Sequence, residues 1–110
     1  LTLIAALNYA ASFVSLDRFE EAKALMRKTM PVARRIFGEN DDLTLRMRWM
    51  CAVALYKSTG ATLDDLREAA TTLEEIERTA RRVLGGAHPT TKAIEVALRE
   101  VRKKIQNYTN

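Results

Sequence analysis

Apolar residues recur at intervals of three and four along nearly the whole chain, the period of a helix face rather than of a strand. Over residues 2–15 the face is Leu3, Leu7, Ala10, Ala11 and Val14, widened by Ala6 and Phe13. Over 18–37 it is Phe19, Ala22, Leu25, Met26, Met30, Ala33 and Phe37. Leu45, Trp49, Ala52, Val53 and Tyr56 mark a third helix over 42–59. Leu66, Ala69, Leu73, Ile76, Ala80 and Val83 mark a fourth over 63–84. The fifth, over 90–106, has only a narrow stripe of Ile94, Leu98, Val101 and Ile105. Its other faces carry Lys92, Glu95, Arg99, Glu100, Arg102, Lys103 and Lys104. The β-branched residues fall at helical spacing, so no strand is predicted.

The breaks agree with this division. Gly38, Gly60, Gly85, Gly86 and Pro89 stand between the periodic segments, where helices stop. Asp17 is placed to cap the second helix, with Glu20 and Glu21 favouring the dipole of its first turn. Pro31 lies inside that helix, where it removes one backbone hydrogen bond and is expected to kink it.

The pattern also repeats. Arg34-Arg35-Ile36-Phe37-Gly38 aligns with Arg81-Arg82-Val83-Leu84-Gly85 at an offset of 47 residues (81 − 34). The same offset pairs Phe19 with Leu66, Ala22 with Ala69, Met26 with Leu73, Ala33 with Ala80 and Thr44 with Thr91. A second offset of 42 (44 − 2) pairs Thr2-Leu3 with Thr44-Leu45, Ala10 with Ala52 and Phe13 with Leu55. The five-residue difference is an insertion around residues 58–62. A helix pair repeated at this period predicts a stacked array, because one pair cannot bury its apolar face alone. Ala10, Ala22, Ala52 and Ala69 recur where two helices would cross closely. Extended to the fifth helix, the alignment puts Arg99 in the place of Ala10 and Ala52, and Arg102 in the place of Phe13 and Leu55. Charges there resist burial, so this helix reads as a solvated cap.

Thr2-Leu3, Asn8, Ala10, Phe13, Phe19 and Glu21-Ala22, followed by the turn Gly85-Gly86-Ala87-His88-Pro89-Thr90-Thr91, resemble tetratricopeptide repeats of the kinesin-light-chain type. The likeness covers nearly the whole chain. The turn has one extra residue before His88-Pro89, the first turn (Gly38 to Asp42) lacks His-Pro, and Met50 stands where the first unit has Asn8. The resemblance implies a right-handed all-α helical-repeat array within a single domain. Unit one would span 1–41, unit two 42–89 and a capping helix 90–107. Helices one, three and five would line a concave face, and two and four the convex back. It further implies that Asn8 faces the groove and bonds the backbone of a bound peptide, for which an amide both donates and accepts. An Asn bonding a neighbouring helix is the alternative.

Composition narrows the chemistry. The chain has 110 residues, enough for one small domain. It is 47% hydrophobic and 29% charged, which excludes wholesale disorder. One Cys precludes an internal disulfide, and one Cys with one His makes a zinc site improbable. No apolar run approaches the roughly 20 residues of a membrane helix. The net charge of +4 is modest and interspersed, so nucleic acid is not an expected partner. The basic cluster Arg99, Arg102, Lys103 and Lys104 reads first as a solvated cap face. The chain starts at Leu1 without a Met and reads as an excerpt of a longer polypeptide. A soluble, intracellular setting is favoured.

Individual residues add little catalytic promise. Cys51 reads as a buried small hydrophobe, and His88 as a turn or capping residue before Pro89. Asp64-Asp65 and Glu74-Glu75 are sequence neighbours and diverge by about 100° on a helix, so they do not converge as acid–base pairs. The candidate site is instead a partner-binding groove of Asn8, Arg46, Trp49, Met50 and Lys57. Arg46 and Lys57 would either form a solvated helix face or attract an acidic peptide or a terminal carboxylate, and Trp49 would be core or groove floor. The expected function is non-catalytic protein binding, without cofactor or metal. The alternative is a packing or spacer subunit in a larger assembly, working through its convex or end faces.

Overall fold

A computed structural model describes residues 2–110 as five helices joined by short turns. Leu1, assigned by sequence to the first unit, lies outside the described residues. The helices are α1 (Leu3–Ser15), α2 (Phe19–Phe37), α3 (Asp42–Lys57), α4 (Leu63–Val83) and α5 (Pro89–Thr109). The chain is all-α, with no strand among the described residues. Helix α3 stops two residues before the expected end, and α5 runs three past Gln106.

Each start has a local cause. Thr2 Oγ1 accepts from the Ala5 amide at 3.0 Å and opens α1. Asp41 Oδ1 accepts from the Leu43 amide at 3.1 Å at the head of α3. His88 does the same for α5, with Nδ1 accepting from the Thr90 amide at 3.1 Å and Pro89 supplying the first helical φ. The α4 start is a reciprocal box: the Asp65 amide donates to Thr62 Oγ1 at 3.1 Å, and the Thr62 amide to Asp65 Oδ2 at 3.0 Å. Gly38 and Gly85 close α2 and α4 in left-handed backbone, φ 83° and 92°, a conformation glycine adopts without strain.

Asp17 departs from the sequence expectation. It does not cap α2; the N-cap is Arg18, without a side-chain cap bond. Asp17 instead ends α1 with φ 58°. The Arg18 amide donates to the Phe13 carbonyl at 2.7 Å and the Asp17 amide to that of Val14 at 3.1 Å. Those two bonds form a Schellman closure, which needs a left-handed residue at this place. With only Leu16 to Arg18 between the two helices, closure of the first governs the backbone of Asp17. The Arg18 guanidinium bonds both carboxylate oxygens of Glu21 and lies 5.2 Å from the Phe13 ring centre.

Helix α2 continues through Pro31 as one element. Pro31 is exposed, and so is Arg27, whose carbonyl loses its intrahelical donor. Water can satisfy that carbonyl on the outer face, and the helix persists.

The order of packing places the elements in two layers. Helix α2 packs against α1 and α3, and α4 against α3 and α5. Helix α1 touches α3 and α3 touches α5, whereas the backbones of α2 and α4 stay more than 8 Å apart, Cα to Cα. One core cluster joins α3, α4 and α5 through Leu45, Tyr56, Leu73, Ile76, Ile94 and Val101. A smaller one joins α1, α2 and α3 through Leu7, Met26, Ala33, Met47 and Met50. Trp49 and Val14 pack against both. Ala10, Ala22, Ala52 and Ala69 are all buried. Val83 and Phe37, expected on the inner faces, are exposed as the last residues of α4 and α2, where the helical stripe ends.

Candidate functional site

Helices α1, α3 and α5 enclose a groove of about 380 Å³. Its floor is apolar: Ala11 and Val14 from α1, Trp49, Met50 and Val53 from α3, and Ala93, Val96 and Ala97 from α5. Ser15, Lys57 and Glu100 add polar groups to the lining. A second depression of about 320 Å³ adjoins it, lined by Asp42, Arg46, Trp49, His88, Pro89, Thr90 and Ala93. The two share Trp49 and Ala93, so they form one surface along α3.

Four of the five expected residues lie on this surface. Arg46 and Lys57 are exposed, and Trp49 is half-buried. Met50 is buried, packed into the α1–α2–α3 cluster, and contributes only to the floor. Arg46 and Lys57 stand 11 positions apart (57 − 46), roughly 16 Å along the helix. Asn8 is exposed on α1 and is not among the residues lining either depression.

The polar groups of the surface are unequally engaged. Asp42 Oδ1 accepts from Thr90 Oγ1 at 2.7 Å, tying the head of α3 to that of α5. Glu100 Oε1 accepts from the Tyr56 hydroxyl at 2.5 Å. Burial, then the bond to Glu100 and its charge, push the Tyr56 hydroxyl far above the usual phenol range, so it remains a donor. Lys104 Nζ donates to the Tyr56 carbonyl at 3.2 Å and sits 5.5 Å from the Tyr56 ring centre. The two carboxylates near the groove are thus occupied, whereas Arg46 and Lys57 form no ion pair among the described residues. The Trp49 indole Nε1 is buried without a protein acceptor.

The α5 wall of Ala93, Val96 and Ala97 lies outside the residues expected from the sequence, yet the repeat carries a signal for it. The offset of 47 that relates α3 to α5 carries Trp49 to Val96, Met50 to Ala97 and Lys57 to Lys104. On α5 these small residues alternate with charged ones, which masks the stripe.

Cys51 lies outside the groove beside Met30, Arg34 and Glu68. Burial raises its thiol pKa, which disfavours the nucleophilic thiolate. Among the described residues no three His, Cys, Asp or Glu side chains gather as a metal site, and no helix is long and apolar enough to cross a membrane. No family model, curated protein or solved structure matches the chain.

Proposed function

We propose that this chain is a non-catalytic protein-binding module, built as an array of two helix pairs and a capping helix, that receives a peptide or partner helix in the α1–α3–α5 groove. The observation that carries the reading is the groove itself: an apolar floor around Trp49, flanked along α3 by the unpaired cations Arg46 and Lys57. An apolar segment with acidic flanks matches that distribution, with apolar contact supplying affinity and the charges orientation. The array reading is supported by equivalences at an offset of 47. Asp41 and His88 cap with the same side-chain-to-amide bond, Gly38 and Gly85 share a left-handed backbone, and Ala33 and Ala80 are both fully buried.

The test uses the single tryptophan of the chain as its probe. Peptides selected from a display library should shift Trp49 emission on binding. Ala93→Trp, which fills the groove from a half-buried position, adds a second indole, so its binding is read by calorimetry. Loss of binding in Ala93→Trp, and weakening in Arg46→Ala with Lys57→Ala, is the expected result. Selected peptides that bind Ala93→Trp as well as the parent would refute groove binding.

A second reading, packing through an end face, has its own observation: α1 carries Ile4, Tyr9 and Leu16 exposed beside it, with no charged residue within the helix.

A further inference from the structure

The outward face of α2 differs from its repeat counterpart in the sign of its charge. At the offset of 47, Arg27 and Lys28 correspond to Glu74 and Glu75 of α4. In α4 both carboxylates are engaged: Glu74 pairs with Arg102 at 3.0 Å and Glu75 with Arg48 at 2.8 Å. In α2 the reversed charges have no such use. Residues 22–38 include five cations and no acidic residue. Lys23 and Arg34 reach carboxylates just outside that stretch, Glu20 at 2.7 Å and Glu39 at 2.9 Å. Arg27, Lys28 and Arg35 are exposed and form no ion pair among the described residues.

These three cations share one surface. Helical geometry sets them within an arc of about 100° and along roughly 12 Å of axis. The packing sides of α2 are taken by α1 and α3, so this face does not depend on what stands beside α1 or α5. It has no part in the groove, none of whose lining residues belongs to α2. Ile36 and Phe37 follow in the last turn, 62% and 46% exposed. They stand about 80° to either side of the cation arc. Guanidinium and ammonium groups alone suit any array of phosphates or carboxylates. The apolar pair narrows the choice. A nucleic acid offers no apolar layer to an aliphatic side chain such as Ile36, whereas a bilayer offers anionic headgroups above acyl chains.

We propose that the outward face of α2 is a docking surface for membranes rich in anionic lipid, with Arg27, Lys28 and Arg35 at the headgroups and Ile36 and Phe37 entering the acyl boundary. Docking of this kind is peripheral and needs no spanning helix. It goes beyond groove binding and is independent of it, because the two surfaces lie on different helices.

Cosedimentation with vesicles tests it. The chain should bind vesicles of phosphatidylcholine mixed with phosphatidylserine and not those of phosphatidylcholine alone, with less bound as salt rises. Arg27→Glu with Arg35→Glu should weaken binding at least about tenfold. Ile36→Ser with Phe37→Ser should weaken it as well, with helicity by circular dichroism kept in both variants. Arg99→Glu with Lys103→Glu changes the net charge equally on α5 and should keep most of the binding. Equal binding to both kinds of vesicle, none to either included, would overturn the proposal. Equal loss in the α5 variant, or binding indifferent to the Ile36 and Phe37 changes, would overturn it too. So would binding of polyglutamate or a single-stranded oligonucleotide that depends on the α2 cations while the vesicles stay bare, which would give the face to an acidic protein or a nucleic acid.

Discussion

The Tyr56 hydroxyl, on a side chain only 1% exposed, donates at 2.5 Å to the carboxylate of Glu100, 44 residues further along the chain. This bond couples α3 to α5 beneath the groove. Removing the exposed partner by Glu100→Ala leaves a covered hydroxyl without its acceptor, and should cost about 1–3 kcal/mol. Tyr56→Phe removes the hydroxyl and leaves Glu100 free to meet water, so it should cost less. Urea denaturation of the two variants checks the order.

Burial of the same hydroxyl, reinforced by its bond to Glu100 and that group's charge, sets a pH dependence. The folded chain holds the phenol proton more tightly than the unfolded chain does, whose tyrosine titrates near 10.0. Stability from this group is therefore complete below pH 10 and falls as the pH rises above it, by about 1.4 kcal/mol per unit. Thermal melts from pH 9 to 11 should show a steeper loss for the parent than for Tyr56→Phe. Parallel curves would mean that Tyr56 does not carry the alkaline limb.

Ala69 is fully covered on α4, and Ala22 on α2. Leucine at either place exceeds the space and should destabilise the fold by about 1–3 kcal/mol. Denaturant midpoints read this directly, and an unchanged midpoint would contradict tight packing at these alanines.

Asp17 closes α1 in the left-handed region, φ 58°, which costs a residue bearing a Cβ more than it costs glycine. Asp17→Gly should raise stability by about 0.5–1 kcal/mol, net of the greater freedom glycine gives the unfolded chain. A rise in melting temperature is the expected readout.

At the head of α4, Thr62→Ala removes the acceptor of the Asp65 amide and should cost about 1 kcal/mol. The backbone bond from Thr62 holds the Asp65 carboxyl below its usual pKa of 3.8. Its contribution is present above that value and is lost as the pH falls through the folded one. Asp65→Asn should therefore flatten the acid limb of a stability curve below about pH 4.

Much of the fold was legible because helical burial has a short period. A residue such as Leu73 or Ile94 announces its face by neighbours three and four positions away, and both are fully buried as that spacing predicts. Helix ends were less legible. Asp17 reads as an N-cap from its type, yet the short connection from α1 to α2 decides its backbone. The box between Thr62 and Asp65 depends on both side chains turning back onto the backbone, which residue type alone does not dictate.

The candidate site divides in the same way. Arg46, Trp49, Met50 and Lys57 could be chosen from α3 alone, since residues three, four, seven and eleven apart share a helix face whatever surrounds it. Whether that face meets anything is a property of other helices. The Ala93–Val96–Ala97 wall, the engagement of Glu100 by Tyr56 and the burial of Met50 all arise from contacts between distant parts of the chain. Local periodicity determines which residues turn inward together, because it depends only on backbone geometry. The groove was decided by which helix lies beside which, a choice made by packing over the whole core.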